Sequence, residues 1–123
     1  MEKITRLVIA DDSPRARHGQ RALLAIQPGI KVVGEAADGE QAIHLVEALR
    51  PDGVVLDVRM PGMDGLQAAR LIKSRWPEIK VIVMSMYAAY RDEALAAGAE
   101  AFLVKGCPVK ELLDAIQEFD AGV

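Results

Sequence analysis

The sequence is poor in the residues that usually build disulfide and zinc sites. Its 123 residues include one cysteine and two histidines, so an internal disulfide framework and a cysteine-ligated structural zinc site are excluded. A net charge of −3 argues against a general nucleic-acid-binding surface, which would need a basic face. With only three histidine and cysteine residues in total, few ligands are available for a metal site based on these residue types.

Long apolar segments are also missing. No run approaches the roughly 20 residues of a membrane-spanning helix, and residues 1–3 are followed by an apolar stretch too short for a signal peptide. We therefore expect a cytoplasmic protein. Hydrophobic residues make up 51% of the chain and charged residues 27%, an ordinary globular composition, and the length suits a single domain covering residues 1–123.

Short apolar segments recur along the chain at the length of buried β-strands. They are nearly continuous rather than alternating, which favours parallel strands covered by helices on both faces. The predicted strands lie at residues 7–10, 32–37, 54–56, 81–84 and 101–104.

Amphipathic helical patterns fill the intervals between these segments. Apolar residues recur at helical spacing over residues 42–49, 66–76 and 109–116. Capping signals place helix starts near Ser13, Asp64 and Pro108, and helix ends near Pro51, Pro77 and Gly98. A strand and a helix thus alternate five times, which predicts a doubly wound α/β fold with a five-stranded parallel sheet. In the flavodoxin-like version of this fold the strand order is 2-1-3-4-5.

Polar side chains follow four of the predicted strands at their carboxyl ends. Asp11 and Asp12 follow the first strand, Asp57 the third, Ser85 the fourth and Lys105 the fifth. The carboxyl ends of parallel strands meet at one edge of the sheet, where such folds bind ligands. The order 2-1-3-4-5 would bring the three carboxylates together, with the serine and the lysine approaching from one side.

The charges of this group favour a divalent cation. Three carboxylates and one lysine give a net charge of about −2, and like charges this close recruit a cation or raise pKa values. Carboxylate oxygens without histidine or cysteine suit Mg²⁺ or Mn²⁺. A site neutralised in this way could accept a phosphoryl group, with Asp57 as the best nucleophile because it stands alone at a strand end before a glycine-rich loop.

The segment 55–65, with the sequence VLDVRMPGMDG, resembles the phosphoacceptor loop of bacterial response-regulator receiver domains. The acidic pair, the serine after the fourth strand and the lysine after the residues FLV at 102–104 resemble the rest of that family's site. The resemblance extends over essentially the whole chain. It is closest to receivers that carry a C-terminal helix-turn-helix DNA-binding domain.

The resemblance implies a phosphorylation site with a bound metal ion. Asp57 would be phosphorylated by a partner histidine kinase, and Lys105 would contact the phosphoryl group. Mg²⁺ would be held by Asp11, Asp12, Asp57 and the backbone carbonyl of Arg59.

The resemblance also implies a conformational switch in a two-component phosphorelay. Ser85 and Phe102 occupy the family's switch positions, where the hydroxyl moves toward the phosphoryl group and the ring turns inward. The fourth helix, fifth strand and fifth helix would repack, and a partner, often a second receiver, would read the change. We expect the output to be transcription through a DNA-binding domain outside this chain, which itself would be no enzyme beyond its own phosphorylation and dephosphorylation.

Three positions bear on how closely the chain follows the family. Receivers commonly have a proline joined by a cis peptide directly after the lysine, whereas Gly106 stands here. A cis bond is much less expected at this point because it costs roughly 3 kcal/mol without proline. Arg59 and Tyr87 stand at variable positions that tend to tune dephosphorylation in the family, and a bulky pair there could restrict water.

Other interpretations of the same residues remain open. The chain could be a stand-alone receiver acting as a phosphate shuttle or protein-binding switch, or a degenerate receiver. An aspartyl-phosphate phosphatase would need an Asp-x-Asp motif where the sequence has Asp-Asp-Ser, and a flavin carrier would need a phosphate-binding loop there. The pair Asp11 and Asp12 could also form a capping turn, Phe102 could belong to the core, and Asp64 suits a helix cap better than a metal ligand.

Overall fold

The computed structural model describes residues 3–121, in which strands and helices alternate as predicted. The strands are β1 (Thr5–Ala10), β2 (Ile30–Ala36), β3 (Gly53–Asp57), β4 (Lys80–Ser85) and β5 (Ala101–Val104). The helices are α1 (Pro14–Ala25), α2 (Gly39–Leu49), α3 (Gly65–Arg75), α4 (Arg91–Ala96) and α5 (Val109–Ala121). The strands pair in parallel in the order β2-β1-β3-β4-β5, which confirms the flavodoxin-like α/β fold. Within the described range, no helix combines the length and apolarity needed to cross a membrane.

The central strands are apolar on both faces because each face is covered by helices. On one face, Val8 and Val54 pack with apolar residues of α2, α3 and α4. On the other face, Ile9 and Val55 pack with Leu24 of α1 and with residues of α5. Alternate residues of one strand therefore enter two separate cores, and both cores fix the strand ends that carry the polar residues.

Local capping interactions fix several helix ends where the sequence predicts them. The Ser13 hydroxyl accepts a hydrogen bond from the Ala16 amide at the start of α1. Asp64 and Gln67 form a reciprocal capping box at the start of α3. Helix α5 begins at Val109, one residue later than the proline signal predicts, because Pro108 serves as the residue before the helix.

Helix α4 is short and is entered through a 3-10 turn, Ala88–Tyr90, without a side-chain cap. It ends at a glycine, as predicted. Gly98 has φ +101°, its amide donates to the Leu95 carbonyl, and the Ala99 amide donates to the Ala94 carbonyl. These two bonds form a Schellman motif, which requires a residue that tolerates positive φ.

Candidate functional site

The sheet brings the predicted polar residues to one edge. Asp57 is the last residue of β3 and Ser85 the last residue of β4, while Asp11 and Lys105 directly follow β1 and β5. The strand register keeps these ends level, since Asp57 pairs with Met84 and Ser85 pairs with Val104. The Lys105 amide also donates to the Ser85 carbonyl over 2.8 Å.

Three carboxylates form a compact cluster at this edge. One oxygen each from Asp11, Asp12 and Asp57 lies within 4.8 Å of the other two. Asp11 is 1% exposed and Asp57 is 7% exposed, whereas Asp12 faces solvent. The cluster is therefore held by the fold on one side and is open to solvent on the other, and the predicted convergence of the three residues is confirmed.

Lys105 ties the two buried carboxylates together. Its Nζ atom lies 2.7 Å from Asp11 Oδ2 and 3.2 Å from Asp57 Oδ2. Burial by itself lowers the pKa of this ammonium group, but the hydrogen bond to Asp11 and the charge of Asp57 outweigh it, so the pKa of Lys105 is raised. The lysine therefore stays protonated and supplies a fixed positive charge.

The pKa of Asp57 is raised above its usual range. Burial is the main cause, and the charges of Asp11 and Asp12 add to it, while the charge and hydrogen bond of Lys105 work in the opposite direction. One lysine thus does not fully offset the burial and crowding of three carboxylates. A further cation at this position would stabilise the ionised form of Asp57.

The loop between β3 and α3 passes very close to the end of β3. The Gly65 amide donates to the Val58 carbonyl over 2.9 Å, and the Val58 amide donates to the Met84 carbonyl over 3.0 Å. A Cβ atom at Gly65 would lie 2.1 Å from the backbone oxygen of Asp57. Only glycine permits this approach, which fixes the backbone that carries Asp57.

Ser85 lies beside the cluster and is 1% exposed. Its hydroxyl oxygen accepts a hydrogen bond from the Tyr87 amide over 3.0 Å, which leaves the hydroxyl proton available for donation. The Arg59 guanidinium lies 5.3 Å from the centre of the Tyr87 ring, and this ring meets Tyr90 edge-on. Arg59 thus reaches from the β3–α3 loop to the loop after β4, while the role of its carbonyl as a metal ligand stays a prediction.

Phe102 is already inside the core, at 3% exposure, and the Arg91 guanidinium lies 5.2 Å from its ring centre. The inward movement expected of a switch residue therefore stays a prediction. Gly106 has φ +88°, a value that proline cannot adopt, and no peptide bond within residues 3–121 is cis. The loop after Lys105 is thus built around glycine.

The sequence analysis missed one residue that contacts the site, Arg17. Its Nη1 atom donates to the Asp11 backbone carbonyl over 2.7 Å. Its place one helical turn after Ser13 indicates only that the side chain leans toward the N-terminal end of α1, as helical side chains do, and does not identify the contact with Asp11.

Comparison with known proteins identifies the family of this chain. The model of the response regulator receiver domain family matches residues 7–117. The chain belongs to this family and is a receiver domain of the two-component type, a class that is typically regulatory rather than catalytic.

The relatives are response regulators, and one is a transcriptional regulator. The transcriptional regulatory protein DegU of Brevibacillus brevis is 35% identical over 118 residues, which cover 94% of this chain and 50% of that protein. The nitrate/nitrite response regulator protein NarL of Escherichia coli (strain K12) is 37% identical over 118 residues, which cover 94% of this chain and 55% of that protein. The chain spans about half the length of the curated relatives it matches.

Solved structures give the same picture. The receiver domain of the putative response regulator NarL from Mycobacterium tuberculosis superposes with a TM-score of 0.91 and 36% identity, covering 98% of this chain and 99% of that one. The isolated receiver domain of RcsB from Salmonella enterica serovar Typhimurium was solved with the phosphomimetic BeF₃⁻. It superposes with a TM-score of 0.88 and 27% identity, covering 98% of this chain and 91% of that one.

Proposed function

We propose that Asp57 accepts a phosphoryl group from a histidine kinase or phosphotransfer protein in a Mg²⁺-dependent reaction. A carboxylate oxygen of Asp57 would attack phosphorus, the bond from phosphorus to the donor imidazole would break, and its electron pair would return to the imidazole nitrogen. The observation that carries the proposal is the packing of three carboxylates and a protonated lysine at the end of β3 and β1. The BeF₃⁻-treated RcsB receiver supports it by similarity.

The donor set fits Mg²⁺. Three carboxylate oxygens within 4.8 Å of one another supply hard ligands, and the exposed position of Asp12 leaves room for water molecules, which Mg²⁺ usually retains. Asp11, Asp12, Asp57 and the Arg59 carbonyl would hold the ion, and Mn²⁺ has similar ligand preferences. When bound, the ion would offset the negative charge of the incoming phosphoryl oxygens.

Two side chains at this edge would contact the phosphoryl group. Lys105 Nζ lies 3.2 Å from Asp57 Oδ2, and its protonated state suits a phosphoryl oxygen. Ser85 has a hydroxyl proton to donate, and a rotation of this hydroxyl would alter its bond with the Tyr87 amide. Because Tyr87 precedes α4, such a change would be passed to α4 and to Phe102 on the neighbouring β5.

We assign the phosphorylated state a regulatory role rather than the turnover of a metabolite. The proposal treats residues 1–123 as one receiver unit, acting in the cytoplasm. The likeness to the transcriptional regulatory protein DegU over half of that protein's length favours transcription as the output, through a DNA-binding domain in a longer protein. A phosphate shuttle or a switch that pairs with a second receiver would use the same site.

The decisive experiment is an intact-mass spectrum after incubation with acetyl phosphate and Mg²⁺. The expected result is one phosphoryl adduct that disappears with a chelator and in Asp57→Asn. Asp64→Asn is the matched control, since Asp64 lies in the same loop but caps α3 and should leave the adduct intact. An adduct that persists in Asp57→Asn, or none in wild-type protein with Mg²⁺ bound, would contradict this assignment.

A further inference from the structure

Arg17 connects the acidic loop to two secondary-structure elements. It lies on α1, its Nη1 atom donates to the Asp11 carbonyl over 2.7 Å, and its Nε atom lies 3.5 Å from Glu35 Oε1 on β2. Its side chain is 16% exposed. A partly buried guanidinium that donates to a main-chain carbonyl and lies close to a carboxylate has restricted freedom to move, because both contacts limit its rotation.

The Asp11 carbonyl is the point where β1 leaves the sheet. The Asp11 amide still pairs with the Ala36 carbonyl of β2 over 3.0 Å. The Asp11 side chain is fixed as well, since one oxygen accepts from the Ser13 amide and the other from Lys105. The carbonyl is the remaining group of this residue, and Arg17 is its partner.

Asp12 is the least restrained of the three carboxylates. It is exposed, and its side chain has no hydrogen-bond or ion-pair partner among the described residues. Its position is therefore set by the backbone, and the peptide that joins it to Asp11 is the one whose oxygen Arg17 holds. A rotation of this peptide would move Asp12 away from Asp11 and Asp57.

We propose that Arg17 is a positioning residue for metal binding, which fixes the peptide between Asp11 and Asp12 and thereby places the Asp12 carboxylate. Glu35 lies on the other side of the guanidinium, at ion-pair distance from Nε but without a hydrogen bond to that buried atom. The inference rests on the proposed Mg²⁺-dependent phosphorylation of Asp57, and it assigns to α1 a part in that site. Outer residues that orient metal ligands commonly change metal affinity by about 10-fold or more when they are removed.

The sign of the effect separates positioning from simple electrostatics. Arg17 carries a positive charge close to the cluster, and removing a positive charge near a cation site strengthens cation binding by Coulomb's law. Loss of positioning weakens binding instead. A weaker Mg²⁺ affinity in a variant without this charge therefore requires the positional role.

The test compares Arg17→Gln with Arg21→Gln. Arg21 also pairs with Glu35 but has no contact with the acidic loop. Arg21→Gln therefore removes the same charge as Arg17→Gln and affects the same carboxylate, but leaves the Asp11 carbonyl with its partner. Mg²⁺ affinity is measured by calorimetric titration of the folded protein, and the phosphorylation rate with acetyl phosphate is measured across Mg²⁺ concentrations. We expect Arg17→Gln to bind Mg²⁺ about 10-fold more weakly, with its rate largely restored at saturating Mg²⁺. Arg21→Gln should stay within about twofold of wild type.

Arg17→Lys provides a second variant that keeps the charge. A lysine lacks the forked guanidinium that lies between Glu35 and the Asp11 carbonyl, so we expect about a threefold loss of Mg²⁺ affinity. If Arg17→Gln does not fold, wild-type affinity in Arg17→Lys overturns the inference.

Two outcomes distinguish this inference from the proposed function. If wild-type protein binds Mg²⁺ and Arg17→Gln binds it equally well or more tightly, the positioning role is overturned and the phosphorylation proposal stands. If wild-type protein neither binds Mg²⁺ nor forms the adduct, both are overturned.

Discussion

The two edges of the sheet use charged residues in opposite ways. At the amino edge, Lys73 Nζ donates to the carbonyls of Pro77 and Ile79 over 2.9 and 3.0 Å and to Glu100 Oε2 over 2.8 Å. The other Glu100 oxygen accepts from the Val81 amide over 2.7 Å. All three ammonium protons and both carboxylate oxygens are thus used, and the group carries no net charge.

At the carboxyl edge, one ammonium group faces three carboxylates. Lys105 is bonded to Asp11 and lies near Asp57, and Asp12 has neither hydrogen bond nor ion pair within the described part of the chain. This edge keeps uncompensated negative charge and raises the pKa of Asp57. The amino edge is therefore organised for stability, whereas the carboxyl edge gives up stability for an arrangement that suits the proposed binding of a cation and a phosphoryl group.

The largest effect should come from adding volume where the carboxyl edge is most closely packed. Gly65→Ala places a methyl group 2.1 Å from the Asp57 backbone oxygen, so the loop must move. We expect a loss of about 3 kcal/mol in the free energy of unfolding, measured by urea denaturation. Gly19→Ala on α1 is the control, because nothing lies within 4 Å of its added methyl group. Gly19→Ala should raise the free energy of unfolding by roughly 0.5 to 1 kcal/mol. Equal stability of the two variants would contradict the close packing around Gly65.

The second prediction compares the two lysines directly. Lys73→Met leaves two carbonyls and one Glu100 oxygen without the lysine, and Lys105→Met removes the ammonium group from two buried carboxylates. Each should lose about 2 kcal/mol in metal-free buffer. Added Mg²⁺ binds the folded state and should stabilise Lys105→Met more than wild type, because it offsets the carboxylate charge that the lysine no longer compensates. Lys73→Met keeps the carboxyl edge intact and should gain only as much stability from Mg²⁺ as wild type does.

Thermal unfolding with and without Mg²⁺ measures this difference. Equal stabilisation of both variants beyond that of wild type would mean that Mg²⁺ acts on the whole protein rather than at the carboxyl edge. The contrast between the edges would then be wrong.

The carboxyl edge was more predictable from sequence than the amino edge. Its residues follow strands, and the rule that parallel strands end at one edge brings Asp11 and Asp57 together without any knowledge of side-chain conformation. The pairing of Lys73 with Glu100 spans 27 residues and depends on how α3 meets β5. No local pattern encodes that meeting.

Some features of the site itself were also beyond sequence reasoning. The contact of Arg17 with the Asp11 carbonyl depends on the rotation of α1 against β1, and the cover of Phe102 by Arg91 depends on where α4 begins. The positive φ of Gly106 follows from the path of a loop rather than from periodicity. Backbone topology was therefore predictable, whereas contacts between side chains of separate elements were not.

The smallest predicted effect concerns Glu35, a carboxylate on β2 that is paired with Arg17 and Arg21. The pKa of Glu35 is lowered from its ordinary 4.5, first by its hydrogen bond with Arg21 and further by nearby positive charges that oppose its partial burial. A carboxylate with a lowered pKa in the folded state contributes stability above its unfolded pKa and loses it as the pH falls through the folded value. Glu35→Gln should therefore cost under about 1 kcal/mol at pH 7 and nothing at pH well below 4.5.

Urea denaturation of wild type and Glu35→Gln at several pH values measures the convergence of their stabilities. Glu118→Gln on α5 is the control, because this exposed carboxylate has no ion pair among the described residues. It should show no such pH-dependent difference from wild type. If the difference in the free energy of unfolding between Glu35→Gln and wild type widened as the pH falls, ionised Glu35 would oppose folding, as the crowded carboxylates of the carboxyl edge do. The contrast between paired and unpaired carboxylates would then be wrong.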